Sequence, residues 1–130
     1  MSQENLEIPR HLIEAYNRGD IPSFLELLDP DVEWIPIMAA LEGRVYRGRE
    51  DVRRWLEDIA RDWEYFEPCY EEYRDLGDRV LVVGMFHARG GGSGAEVRAP
   101  YYSAFFVSEG KLARVLTFRT EDEALAAVSA

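Results

Sequence analysis

The first half of the chain carries apolar residues at helical spacing, and the second half alternates like strands. Ile8, Leu12, Ile13 and Tyr16 recur at the three- and four-residue intervals of one helix face. Pro9 has no N–H to donate and suits a first turn, so this helix is expected to start near Leu6 or Ile8 and to close at Gly19. Asp20 then caps a second, short helix through Phe24, Leu25, Leu27 and Leu28, which Asp29-Pro30 ends. Residues 32–37 alternate as a strand with Val32 and Trp34 on one side, and residues 38–45, rich in small groups, read as a loop that could be a rim or a lid. From Gly48, the stripe Val52, Trp55, Leu56, Ile59 and Trp63 marks the longest helix, with Glu50/Arg54, Arg53/Glu57 and Glu57/Arg61 as ion pairs on its wet face.

Strands are expected over 66–74, 79–89, 96–108 and 112–120, joined by turns at Leu76-Gly77-Asp78, at the glycine run 90–94 and at Ser108-Glu109-Gly110-Lys111. A closing helix over 121–128 turns Ala124, Leu125 and Val128 inward. Helices first and strands later is an α+β arrangement. Both alternations of 96–108 are apolar: Tyr101, Ser103 and Phe105 belong to one, Tyr102, Ala104 and Phe106 to the other. A one-sided antiparallel strand would carry charge on its wet face. The helices suffice to cover one face, which becomes a pocket, so the convex face is expected to meet a second copy of the chain in a homodimer.

Composition narrows the partners. The 130 residues are enough for one domain spanning 1–130, and 47% apolar content supplies a core. The formal net charge of −10 speaks against nucleic acid and anionic membrane surfaces, which demand a basic patch. No apolar run reaches the length of a signal or membrane segment, and the chain reads as cytoplasmic. One cysteine, Cys69, excludes an internal disulfide, and the separated His11 and His87 give no zinc-like cluster. No metal or cofactor is expected.

Several motifs, in this order and spacing, carry a family likeness: Ala15-Tyr16-Asn17-Arg18-Gly19-Asp20, Leu28-Asp29-Pro30-Asp31-Val32-Glu33-Trp34, Tyr46-Arg47-Gly48-Arg49-Glu50, Gly77-Asp78-Arg79-Val80 and Glu109-Gly110-Lys111-Leu112. The chain resembles the SnoaL-like branch of the nuclear transport factor two superfamily. That resemblance implies a cone, in which a curved mixed sheet wraps a long helix and a helical pair around a deep apolar pocket. It also implies pairing through the convex sheet face. The superfamily includes ketosteroid isomerases, polyketide cyclases and epoxide hydrolases as well as binders without known chemistry.

Carried over residue by residue, the enzymatic groups of the resembling families are not matched. Where the isomerases place a tyrosine, an aspartate base and an acid, this chain has Leu12, Trp34 and Ser103, and an indole cannot abstract a proton. Where the limonene-type epoxide hydrolases place Arg-x-Asp and a further Asp, it has Val82, Gly84 and Thr117. The SnoaL-type cyclases use an Asp/His set, and the one strand histidine, His87, follows Leu81, Val83 and Met85 on an alternation that ends at Arg89 and faces away from the pocket. The candidate ligand-binding residues are therefore neutral or peripheral. Trp34 and Trp55 are pocket wall or core, and Tyr16 is a pocket residue or a core tyrosine with a polar partner. Tyr101, Ser103 and Thr117 share the concave face and bond a ligand or neighbouring backbone. Arg119 holds an anionic group at the mouth or pairs with Glu121 or Asp122. Two function classes remain: a binder of a hydrophobic, possibly polycyclic small molecule, and a cofactor-independent cyclase or isomerase acting on a polyketide-, steroid- or terpenoid-like substrate.

Overall fold

The structure, a computed structural model, describes residues 2–36 and 43–129. Among the described residues, four helices, α1 (Ser2–Arg18), α2 (Ile21–Glu26), α3 (Gly48–Asp62) and α4 (Glu121–Ser129), accompany six strands: β1 (Leu28–Ile35), β2 (Tyr46–Arg47), β3 (Trp63–Asp75), β4 (Arg79–Gly90), β5 (Glu96–Ser108) and β6 (Lys111–Phe118). The strands form one mixed sheet in the order β2-β1-β6-β5-β4-β3, parallel only where β1 meets β6. This is the α+β cone that the motifs imply.

The concave face holds the core. In the ladder, Val80 stands opposite Phe105 and Phe105 opposite Val115, while Val82 stands opposite Ser103 and Ser103 opposite Thr117. Directly opposed residues share a face, so these rows point together at α1, α2 and α3. Leu12, Ala15, Phe24, Leu28, Val32, Trp34, Val52 and Leu56 pack onto them. Asp20 caps α2 by accepting from the Ser23 amide at 3.2 Å. Arg49, in the first turn of α3, donates twice to the Leu28 carbonyl and ties that helix to β1.

Several boundaries differ from the sequence expectation, each for a local reason. α1 begins at Ser2, so Pro9 lies inside the helix and not in its first turn. Its ring is fully buried, and that packing offsets one unmade intrahelical bond. Leu28 belongs to β1 and not to the second helix, because it pairs with Leu112 while the Leu112 amide donates to the Leu27 carbonyl at 2.9 Å. Trp63 opens β3 instead of ending the long helix. On the wet face of α3, Arg53–Glu57 forms at 2.9 Å, but Arg54 and Arg61 turn to Asp51 and Asp58 three residues away. The expected strand end at Ile37 and the loop positions 38–42 lie outside the described residues.

The convex face is not left bare along its whole length. Thr120 caps α4, its hydroxyl accepting from the Glu123 amide at 3.2 Å and meeting the Glu123 carboxylate at 3.3 Å. The helix then lies across the outer rows of β4, β5 and β6, burying Leu81 and Ala104 completely beneath Ala124 and Val128. Arg79 fastens its end by donating to the Val128 carbonyl at 2.8 Å. Leu125, expected inward, is 37% exposed, since only the i,i+4 pair Ala124 and Val128 faces the sheet. Phe106 lies between the guanidinium groups of Arg79 and Arg114, at 5.4 and 5.3 Å. What stays open is a row through Val83, Tyr102 and Phe118, with Met85 and Pro100 beside it.

Candidate site at the mouth of the cone

Strand alternation brings most of the expected residues to one place. Trp34 lies opposite Val115 on the concave side, with its ring 5.6 Å from Phe24 and 5.2 Å from Trp55. Tyr101 stacks on Tyr70 with ring centres 5.6 Å apart, and Ser103 and Thr117 stand side by side with their hydroxyls 3.5 Å apart. Trp34, Tyr101 and Thr117 line the interior of the cone, where aromatic rings leave a cavity of about 40 Å³, while Ser103 is fully buried and does not line it. The deep pocket expected for a polycyclic molecule is, among the described residues, a narrow apolar space. Trp34, Trp55, Phe66, Phe86, Tyr70 and Tyr101 fill the space themselves.

The larger space is an open cleft of about 640 Å³ at the mouth, between the α1–α2 turn, the end of α3 and the start of β3. Ligand sites span ~300–1,000 Å³. Its floor is apolar, from Ala15, Phe24, Leu56, Ile59, Trp63 and Phe66, and its rim is polar, from Asn17, Asp20, Glu64 and Glu67. Tyr16, Phe24 and Phe66 line both spaces. The Tyr16 hydroxyl donates to the Phe66 carbonyl and ties α1 to β3 beside the place where the two spaces adjoin.

The interior is neutral. Among the described residues no charged side chain lines the 40 Å³ cavity. Burial, with the Glu67 charge adding to it, pushes the Tyr16 phenol up to about 12. Burial and then Tyr101 raise Tyr70 well above the usual phenol value. Burial also raises Tyr101, against the pull of hydrogen bonds from Ser103, Tyr70 and Thr117. The three hydroxyls converge on Tyr101, and the Ser103 proton goes to the Leu116 carbonyl at 3.0 Å. Trp34 Nε1 differs: the residue is 4% exposed and its indole N–H meets no acceptor among the described residues.

Arg119 does not join this site. β6 ends at Phe118, and Arg119 lies exposed beside an outer groove with Arg44, Arg114 and Leu116. Of its two expected partners, Glu121 pairs with Arg74 at 2.7 Å. His87 stands opposite Arg98 and Glu67 on the convex alternation, away from the cavity. Among the described residues no group of three or more His, Cys, Asp or Glu is placed to hold a metal ion. No helix of the described residues is long and apolar enough to cross a membrane. The residues that sequence reasoning missed, Phe66, Tyr70 and Phe86, lie on the inward alternations of β3 and β4 and were findable by the same period-two argument that found Tyr101.

Comparison with known proteins places the whole fold. An NTF2-like protein of unknown function from Burkholderia pseudomallei K96243 superposes with a TM-score of 0.80 over 98% of both chains, at 20% identity. TerC, crystallised with polyporic acid, gives 0.78 at 19% identity over 98% of this chain and 99% of its own. A candidate polyketide cyclase from Xanthomonas campestris pv. campestris gives 0.75 at 22% identity over 96% of each chain. At these identities the likeness establishes the fold. No curated protein matches the chain. The sequence profile of the SnoaL-like domain matches residues 10–115, and the chain therefore belongs to the SnoaL-like family.

Proposed function

We propose that the protein binds a flat, apolar small molecule in the mouth cleft, with one end directed at the neutral interior of the cone. The observation that carries this reading is the cleft itself, about 640 Å³ with an apolar floor, opening onto aromatic walls without a charge. That TerC was crystallised with a small molecule, polyporic acid, supports it. Trp55, Trp34, Tyr16, Tyr101 and Thr117 are the inner contacts of that reading, and Ile59, Trp63 and Phe66 the outer ones. Isomerase or cyclase chemistry by general acid–base catalysis is the weaker reading. A general base works best with a pKa near the operating pH, whereas the titratable groups lining the inner cavity are phenols held above their usual value.

Isopropylnaphthalene tests the reading. Calorimetric titration is expected to show saturable binding that Ile59→Arg, which fills the cleft, abolishes without unfolding the protein. Binding that survives Ile59→Arg would remove the cleft from the proposal. The open convex row of Val83, Met85, Tyr102 and Phe118 further supports a homodimer through that face, with Ala104 and Phe106 contributing nothing, since α4 and two arginines cover them. Light scattering is expected to give twice the chain mass, and Tyr102→Glu to halve it.

A further inference from the structure

The interior polar groups differ in one respect that bears on ligand chemistry. The hydroxyls of Tyr70, Tyr101, Ser103 and Thr117 engage one another, with the Leu116 carbonyl taking the Ser103 proton. The Tyr16 proton goes to the Phe66 carbonyl. Among the described residues, Trp34 Nε1 is the buried side-chain donor of the inner cavity that has no partner, its residue being 4% exposed, whereas Trp55 is only half-buried. An N–H in that state costs free energy until an acceptor meets it. The ring is held in place on two sides, by Phe24 and Trp55, and so the donor does not turn outward to find one.

The size of the cavity limits what that acceptor is. About 40 Å³ admits a few water-sized groups, at ~10–15 Å³ for each, and so a small substituent and not a ring system. Among the described residues no lysine, arginine or histidine lines it, and the chain carries a net charge of −10. A carboxylate entering there would lose its hydration and find no cation. We propose that Trp34 is a specificity-determining residue, whose indole N–H receives the carbonyl oxygen of an apolar ketone while the ligand's ring system lies in the mouth cleft. This rests on the binding reading above and adds to it the polar group that the ligand presents.

Three probes of one shape separate the two claims: methyl naphthyl ketone, isopropylnaphthalene and naphthoate, substituted at the same ring carbon. The full chain, isotopically labelled in its three tryptophans, is titrated with each by calorimetry and by nuclear magnetic resonance, with the Trp34 indole signal assigned through Trp34→Phe. The ketone is expected to bind about 3- to 10-fold more tightly than the hydrocarbon, the ratio one buried neutral hydrogen bond produces. It should move the Trp34 N–H signal downfield, and naphthoate should bind more weakly than either. In Trp34→Phe the ketone and the hydrocarbon should bind equally. Equal affinities in the natural protein with an unmoved Trp34 signal overturn the inference and leave apolar binding in place. Absence of saturable binding by all three probes overturns both. Should Trp34→Phe not fold, the affinity ratio and the signal of the natural protein decide alone, the signal then being assigned through Trp55→Phe and Trp63→Phe.

Discussion

The two faces of β5 are made of adjacent residues and do opposite work. Inward, Tyr101, Ser103 and Phe105 contribute to a packed interior in which Phe105 and Ser103 are fully buried. Outward, Tyr102, Ala104 and Phe106 meet three unlike surroundings: an open row, the underside of α4, and a pair of arginine side chains. The inner face is specified by volume, since every side chain there touches others of fixed shape. The outer face is specified by coverage, which a short helix and two guanidinium groups supply piecemeal.

The comparison breaks most visibly at the paired phenylalanines. Phe105→Ala is expected to cost about 3–5 kcal/mol by lost transfer energy and a residual cavity. Phe106→Ala, which loses two exposed cation–π contacts, should cost about 1–2 kcal/mol. Denaturant titration of both variants measures the difference, and equal losses would mean that α4 and the arginines pack the outer face as tightly as the core. Gly84 probes the volume rule from the backbone side. A Cβ there would lie 1.9 Å from the Cys69 carbonyl oxygen, whereas one at Gly92 meets nothing within 4 Å. Gly84→Ala should cost about 1–3 kcal/mol as β3 and β4 part, against at most about 0.5 kcal/mol for Gly92→Ala.

Smaller effects sharpen the contrast. Ser103→Ala removes a buried donor and leaves the Leu116 carbonyl unmatched, for about 0.5–1.5 kcal/mol. In alkali the inner phenols act together. Tyr16 titrates near 12 in the folded chain against 10.0 unfolded, so its contribution is complete below pH 10 and is lost as pH rises toward 12. Melting temperatures across that window should therefore fall, and Tyr16→Phe should make the fall shallower. The least effect belongs to Leu125→Ala on the solvent side of α4, within about 0.5 kcal/mol.

Alternation made the concave row legible, and Tyr101, Ser103, Thr117 and Trp34 are where the period-two pattern puts them. Four things were not legible, for different physical reasons. Trp63 continues the helical stripe of α3 by spacing, but the chain enters the sheet one residue earlier and Trp63 packs edge-on against Phe66 at 5.7 Å. Pro9 reads as a start signal because local propensity knows nothing of the tertiary packing that buries its ring. The near-filling of the cone depends on how six aromatic side chains choose their rotamers, and no periodicity encodes that. Arg119 was misplaced because alternation stops carrying information once a strand has ended.

The parallel pairing of β1 with β6 has a consequence for the order in which the molecule can be made. Leu28 finds its partner Leu112 only once β6, more than eighty residues further along, has been synthesised. Until then the apolar stripes of α1 and α3, and the inward side of β1, have no complete sheet to rest on. Such long-range closure slows folding and prolongs the exposure of sticky surface. The surplus of ten negative charges keeps nascent copies apart during that interval. Acidity that plays no part in the neutral interior thus protects the route by which that interior is built.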